Sequence, residues 1–238
     1  VLAGASPRVC LGQPDGIAPT KPIAFEHVII DQDAMGHREV GDIDRDGFND
    51  IAAVNSGGSE HSIVWYEYPN WMRHRVVNIS RFDDYKAYRS CDMELADIDC
   101  DGDLDVVGRI GRPEDDRYGI NCWFENPGPG GNPAEGEWKR HDIGESWYAK
   151  DLEIADLNGD GKPDVVSRAL NARLHIYLQE GSSWKEKVLD ATHHDGMDVA
   201  DMDRDGDPDV VLNGYWMETP VDTSSGTWLK HDFDKKLY

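Results

Sequence analysis

One nine-residue pattern, Asp-x-Asp-x-Asp-Gly-x-x-Asp, restricts the fold of this chain more than any other feature, because it recurs four times with near-regular spacing. The copies run over 42–50, 97–105, 156–164 and 201–209, and their starts stand 55, 59 and 45 residues apart. The third copy carries Asn158 where the others have a second Asp. An acid precedes each copy by three residues: Glu39, Glu94, Glu153 and Asp198, each followed by Val40, Leu95, Ile154 or Val199. Behind each copy comes a β-branched, apolar run, Ile51 to Val54, Val106-Val107, Val165-Val166 and Val210 to Leu212. Such a run reads as a strand.

Two further strands complete each unit. A third begins Trp65-Tyr66-Glu67, Trp123-Phe124-Glu125 and Trp216-Met217-Glu218, with Ile176-Tyr177-Leu178 as a looser equivalent. A fourth begins at Trp71, Trp138, Trp184 and Trp228, with His74, His141 and His231 three residues on in all but the Trp184 copy. Four strands, four times over, predict an all-β fold of β-propeller type with four four-stranded blades. The expected blades span about 35–80, 88–145, 147–190 and 193–236, and residues 1–22, rich in Pro and Gly, read as an arm or linker before a repeat region over 23–238. Phe25 to Asp31 resembles a fourth strand with no metal loop before it, and so reads as a surplus outer strand that pairs with another blade or another subunit.

The loop pattern has the chemistry of a hard cation. Calcium takes about six to eight oxygen ligands, and side chains at positions 1, 3, 5 and 9 of a loop folded round the ion supply most of them. Those positions hold Asp42, Asp44, Asp46 and Asp50; Asp97, Asp99, Asp101 and Asp105; Asp156, Asn158, Asp160 and Asp164; and Asp201, Asp203, Asp205 and Asp209. Position 7 is expected to add a carbonyl, from Phe48, Asp103, Lys162 and Asp207, and Gly at position 6 permits the tight turn. An EF-hand needs a chelating Glu at position 12, which here is Ala53, Gly108, Ser167 and Leu212, with strand instead of helix behind it. About four Ca²⁺ ions are therefore expected, with the Asn158 site the weakest.

The net charge of −23, from 47 acidic against 24 basic side chains, argues against binding nucleic acid or an anionic membrane through a basic field. Fifteen of the acids are loop residues at positions 1, 3, 5 and 9, so bound cations would remove much of the imbalance. No apolar run is long enough for a membrane helix, and the opening Val1 reads as the start of a mature or excised segment. Cys10, Cys91, Cys100 and Cys122 show no zinc spacing, and leave disulfide pairing open.

With their flanks, these loops resemble the FG-GAP/VCBS repeats of extracellular β-propellers over about residues 23–235. The resemblance implies calcium and an extracellular or cell-surface location. It implies activity less closely, since adhesion modules, integrin-like heads and polysaccharide lyases share these repeats. It also implies a larger propeller of about seven blades, of which this chain holds four.

A second site is expected where the segments before the first strands meet at one mouth of the propeller. His37 and Arg38, Tyr88, Arg89 and Asp92, Tyr148, Lys150 and Asp151, and His193, His194 and Asp195 stand there. Arg gripping a carboxylate and Tyr stacking on a ring would suit a uronate or sulfated sugar, and a His or Tyr base would make a lyase of it. Solvated rim residues are the plainer reading, and His27, His74, His141 and His231 read as surface packing. The four acids at Glu39, Glu94, Glu153 and Asp198 have three open roles: salt bridges between blades, lining of the channel, or completion of the calcium shell. Three functions follow from these readings. They are an adhesion or carbohydrate- or protein-binding module with structural calcium, a polysaccharide lyase or other glycan-active enzyme, and a subunit of a surface assembly joined through its open strand edge.

Overall fold

The computed structural model describes residues 25–32, 36–55, 61–84, 92–112, 114–115, 117–192 and 196–233, and the backbone of 87–88. The chain divides into two compact units, Val1–Ile30 and Asp31–Tyr238. In the first, residues 25–30 run without strand or helix, and Phe25, Val28 and Ile29 are exposed. The outer strand expected over 25–31 therefore does not form among the described residues. A single extended segment becomes a strand only through ladder hydrogen bonds to a neighbour.

The second unit contains four antiparallel sheets built in chain order. The first holds β1 (Arg38–Gly41), β2 (Asp50–Asn55), β3 (Ser62–Glu67) and β4 (Met72–Asn78). In the second, the first strand is interrupted: β5 (Ala87–Tyr88) and β6 (Glu94–Ala96) both pair with β7 (Asp105–Gly111), which continues to β8 (Tyr118–Glu125) and β9 (Lys139–Trp147). The third runs β10 (Ala149–Ala155), β11 (Asp164–Ala169), β12 (Arg173–Glu180) and β13 (Ser183–Asp190). The fourth runs β14 (Met197–Ala200), β15 (Asp209–Leu212), β16 (Tyr215–Glu218) and β17 (Leu229–Asp232). There is no α-helix among the described residues. The first strands stand beside one another in sequence, β1 by β6, β6 by β10 and β10 by β14.

Alternation along the middle strands explains how neighbouring sheets hold together. Successive side chains of a strand point to opposite faces, so Val106 packs in the cluster shared with the first sheet and Val107 in the cluster shared with the third. Val165 and Val166 divide in the same way between the second and fourth sheets, and Trp123 and Phe124 between the third and the first. Covered on both faces, β7 and β11 are buried at every position. The outer strands β13 and β17 stay half open.

The Trp and His of the third and fourth strands meet directly. In register, Trp65 faces His74, Trp123 faces His141 and Trp216 faces His231. The rings stack at 4.4, 4.2 and 4.2 Å, and each imidazole Nε2 also bonds to the Glu two residues after its Trp: Glu67 at 2.7 Å, Glu125 at 2.5 Å and Glu218 at 2.6 Å. The third sheet replaces this with a His175–Glu186 bond of 2.7 Å, because Ile176 faces Lys187 there. These histidines are structural fasteners of the outer strand.

Candidate metal loops and the inner-strand acids

Each loop is shaped by its own carboxylates before any ion is considered. The position-9 Asp, buried at the head of the second strand, accepts two backbone N–H groups. One comes from position 2 of the loop: Ile43 to Asp50 at 3.0 Å, Ile98 to Asp105 at 2.9 Å, Leu157 to Asp164 at 3.0 Å and Met202 to Asp209 at 2.9 Å. The other comes from the end of the third strand or the residue just beyond it: Tyr68, Asn126, Gln179 and Thr219, at 2.9, 2.8, 2.8 and 2.9 Å. The position-1 Asp accepts the N–H of the position-6 Gly in the first three loops, from Gly47, Gly102 and Gly161. In the fourth, Asp201 accepts from Arg204 instead, at 2.7 Å.

Two backbone positions per loop need a left-handed conformation. The position-6 glycines adopt it with φ of 93, 95, 84 and 103°. Position 4 adopts it as well, at Arg45, Cys100, Gly159 and Arg204, with φ of 64, 62, 72 and 70°. Gly159 is the only signal of this in the sequence, since side chains occupy the other three positions.

The loop oxygens converge. In the first, second and fourth loops, acidic triads bring ligand atoms within 4.8 Å of one another: Asp42, Asp44 and Asp50; Asp97, Asp99 and Asp101; and Asp201, Asp203 and Asp209. Asp42 Oδ1 is buried without a partner among the described residues. Burial, the largest influence, pushes Asp105 up to about 8 and Asp164 up to about 6, and it raises Asp44, Asp50, Asp99 and Asp209 as well. Asp103 is a special case. Its carboxylate is buried, no backbone N–H reaches it among the described residues, and burial first and then the neighbouring Asp101 carboxylate lift it to about 7. Oxygen-only, converging and short of positive charge, these groups fit Ca²⁺.

The four acids before the loops sit at one register, Glu39 opposite Ala52, Glu94 opposite Val107, Glu153 opposite Val166 and Asp198 opposite Val211. Glu94 is pushed up to about 8 by burial first and then by the charges of Glu153, Glu39, Asp92 and Asp198. Glu153 rises to about 7 through burial and the charges of Asp198, Asp92, Asp151 and Glu39. These acids therefore face one another along the first strands, and repulsion between like charges is their dominant mutual interaction. That geometry speaks for lining a shared space over bridging to cations of the next sheet.

Of the residues expected at the mouth, His37 Nδ1 lies 3.3 Å from Asp92 Oδ1, and Asp92 Oδ2 accepts the Leu152 N–H at 3.1 Å. One carboxylate thus ties the lead-in of the first sheet to the first strand of the third. Tyr148 has a left-handed backbone, φ 45°, with Lys150 Nζ 5.7 Å from its ring centre. Asp151 pairs with the buried Arg168 at 2.5 Å. Arg89, His193, His194 and Asp195 lie outside the described residues, and Tyr88 is described by its backbone alone. Sequence reasoning missed Arg168 and its counterpart Arg109, each four residues after a position-9 Asp and fully buried; Arg109 bonds to Ser146 Oγ and the Arg117 carbonyl, both at 2.8 Å. A lone Arg in an otherwise apolar strand was the available sign.

Cys100 and Cys122 are free thiols, exposed and buried respectively, and Cys10 and Cys91 lie outside the described residues. A cavity of about 380 Å³ opens beside the third loop, lined by Asn158, Asp160 and Lys162 together with Gln179, Glu180 and Asp222. No helix among the described residues is long and apolar enough to cross a membrane, which leaves strand-based spanning aside.

Residues 156–212, from the third Asp-rich loop to the end of β15, match the family model of an FG-GAP-like repeat. A search of curated proteins gives no match.

Proposed function

We propose, from the premise that the chain carries an FG-GAP-like repeat, that it is a calcium-stabilised β-propeller module acting outside the cell as a binding or adhesion unit. The observation that carries this reading is the recurrence of one loop design. Four times a position-9 Asp is held by two backbone N–H groups, the side-chain oxygens at positions 1, 3 and 5 are oriented by further N–H groups of the loop, and in three of the four loops acidic oxygens converge within 4.8 Å. The residues that would hold the ion are those at positions 1, 3, 5 and 9, with the position-7 carbonyls beside them. When bound, Ca²⁺ would supply charge neutralisation and cross-link the loop to the head of the second strand; it is structural in this reading.

The ordered row of first strands supports a radial arrangement of blades. Loops of this kind suit the millimolar calcium found outside cells. The cavity beside the third loop, with Lys162 and several polar groups on its wall, supports a ligand contact there. The test is thermal unfolding with excess chelator and then with millimolar calcium. A ligand present at a hundredfold its Kd stabilises by about 2.7 kcal/mol per independent site, so a rise in Tm of many degrees is expected, and superimposable curves would refute the reading.

A further inference from the structure

Three contacts between successive sheets share one design, and they show what the two uncovered sheet faces lack. Position 2 of each loop points toward the following sheet: Ile43, Ile98 and Leu157 are exposed by 1, 0 and 1%. The following sheet also bonds to the carbonyl of that residue. Asn126 Nδ2 donates to Ile43 O at 3.0 Å, Gln179 Nε2 to Ile98 O at 2.8 Å and Thr223 Oγ1 to Leu157 O at 3.3 Å. Met202, the fourth member, is 38% exposed, and among the described residues no side chain of another sheet reaches its carbonyl. Val211 and Trp216 on the same face are partly open, although their counterparts Val107, Val166, Trp65 and Ile176 are fully buried.

The opposite face of the first sheet is the other half of the same contact. Leu95, Ile154 and Val199 each pack against the cluster shared with the preceding sheet, whereas Val40 is 61% exposed. Ile51 is partly open where Val106, Val165 and Val210 are buried. Tyr66 bonds through its hydroxyl to Asp31 at 2.5 Å, while the equivalent Tyr177 donates to Glu145 O of the preceding sheet at 2.8 Å. Asp31 thus stands in for a preceding sheet at that point.

We infer that the Met202 face of the fourth sheet docks on the Val40 face of the first sheet of a second copy of this chain, repeating head to tail the contact that joins its own sheets. The occupant is chosen by continuity: the three internal contacts already match these two surfaces, position for position. Such a contact is heterologous, so it uses a different patch on each partner. In it, the incoming outer strand displaces Asp31 from Tyr66.

Sedimentation velocity of the calcium-loaded full chain over a range of concentrations tests this directly. The expected result is concentration-dependent association, with Val40→Asp and Val211→Lys each monomeric and each keeping the parent's calcium-dependent melting, since Val40 is exposed, Val211 is partly open and neither belongs to a metal loop. Mixed in equal amounts, the two variants should form a dimer that grows no further, because each supplies the face the other has lost. A parent chain that stays monomeric throughout, association that survives both substitutions, or failure of the mixed variants to pair would each overturn the proposal. Melting that is insensitive to calcium, with association intact, would instead count against the metal reading alone.

Discussion

In the Asp97–Asp105 loop five carboxylates crowd into nine residues, and all but Asp103 accept a backbone N–H within the loop or from its neighbouring strand. Glu94 and Glu153 lie a few residues earlier on first strands, and every resolved influence on either of them raises its pKa. Both groups are acidic and both are partly buried. The difference is that oriented N–H dipoles hold the loop carboxylates in a converging set, whereas the inner-strand acids have chiefly one another. Clustered negative charge organised by many donors suits a cation; clustered negative charge with few donors stores repulsion.

The comparison breaks most visibly at Asp105. Asp105→Ala leaves the Ile98 and Asn126 N–H groups without acceptors in a buried setting, at a cost of about 1–3 kcal/mol each before any lost metal binding. Chemical denaturation should therefore report a loss of several kcal/mol, and a loss comparable to that of a surface substitution would show that the donors do not organise the loop.

Glu94→Gln should act in the opposite direction. A carboxyl raised from 4.5 to about 8 keeps, in the folded state, a proton that the unfolded chain has released. Its contribution to stability therefore falls as pH rises from about 4.5 to about 8. In chelator, Glu94→Gln should flatten that decline and raise the melting temperature at pH 8, while calorimetric calcium affinity stays unchanged. A weakened affinity would instead make Glu94 part of the metal shell.

The smallest effect concerns backbone strain. Arg45 holds a left-handed φ of 64° that Gly159 holds without a side chain in the third loop. Arg45→Gly should stabilise the loop by up to about 1 kcal/mol, measurable as a small upward shift of the denaturation midpoint. A destabilised variant would mean that the Arg45 side chain makes contacts worth more than the strain.

The repeats, the Asp ladder and the Trp, Glu and His of the third and fourth strands were legible because each is a local pattern copied several times. Local chain geometry fixes what such a pattern can do: an Asx-type bond spans two residues, and a strand alternates with period two. The left-handed position 4 was hidden, since Arg45, Cys100 and Arg204 carry no sign of it. Segment 25–31 has a strand's composition, but a strand exists only where another pairs with it.

By itself the sequence determined the four loops, the position-6 turns and the four-stranded units, all set by contacts close along the chain. Only the tertiary structure decided that Glu39, Glu94, Glu153 and Asp198 confront one another, that Arg109 and Arg168 are buried, and that Asn126, Gln179 and Thr223 fasten the loop of the preceding sheet. Those contacts join residues dozens of positions apart, and their sign depends on which face of which sheet turns inward, a choice that no single repeat encodes. The same choice leaves Met202 and Val40 uncovered at the two ends of the row.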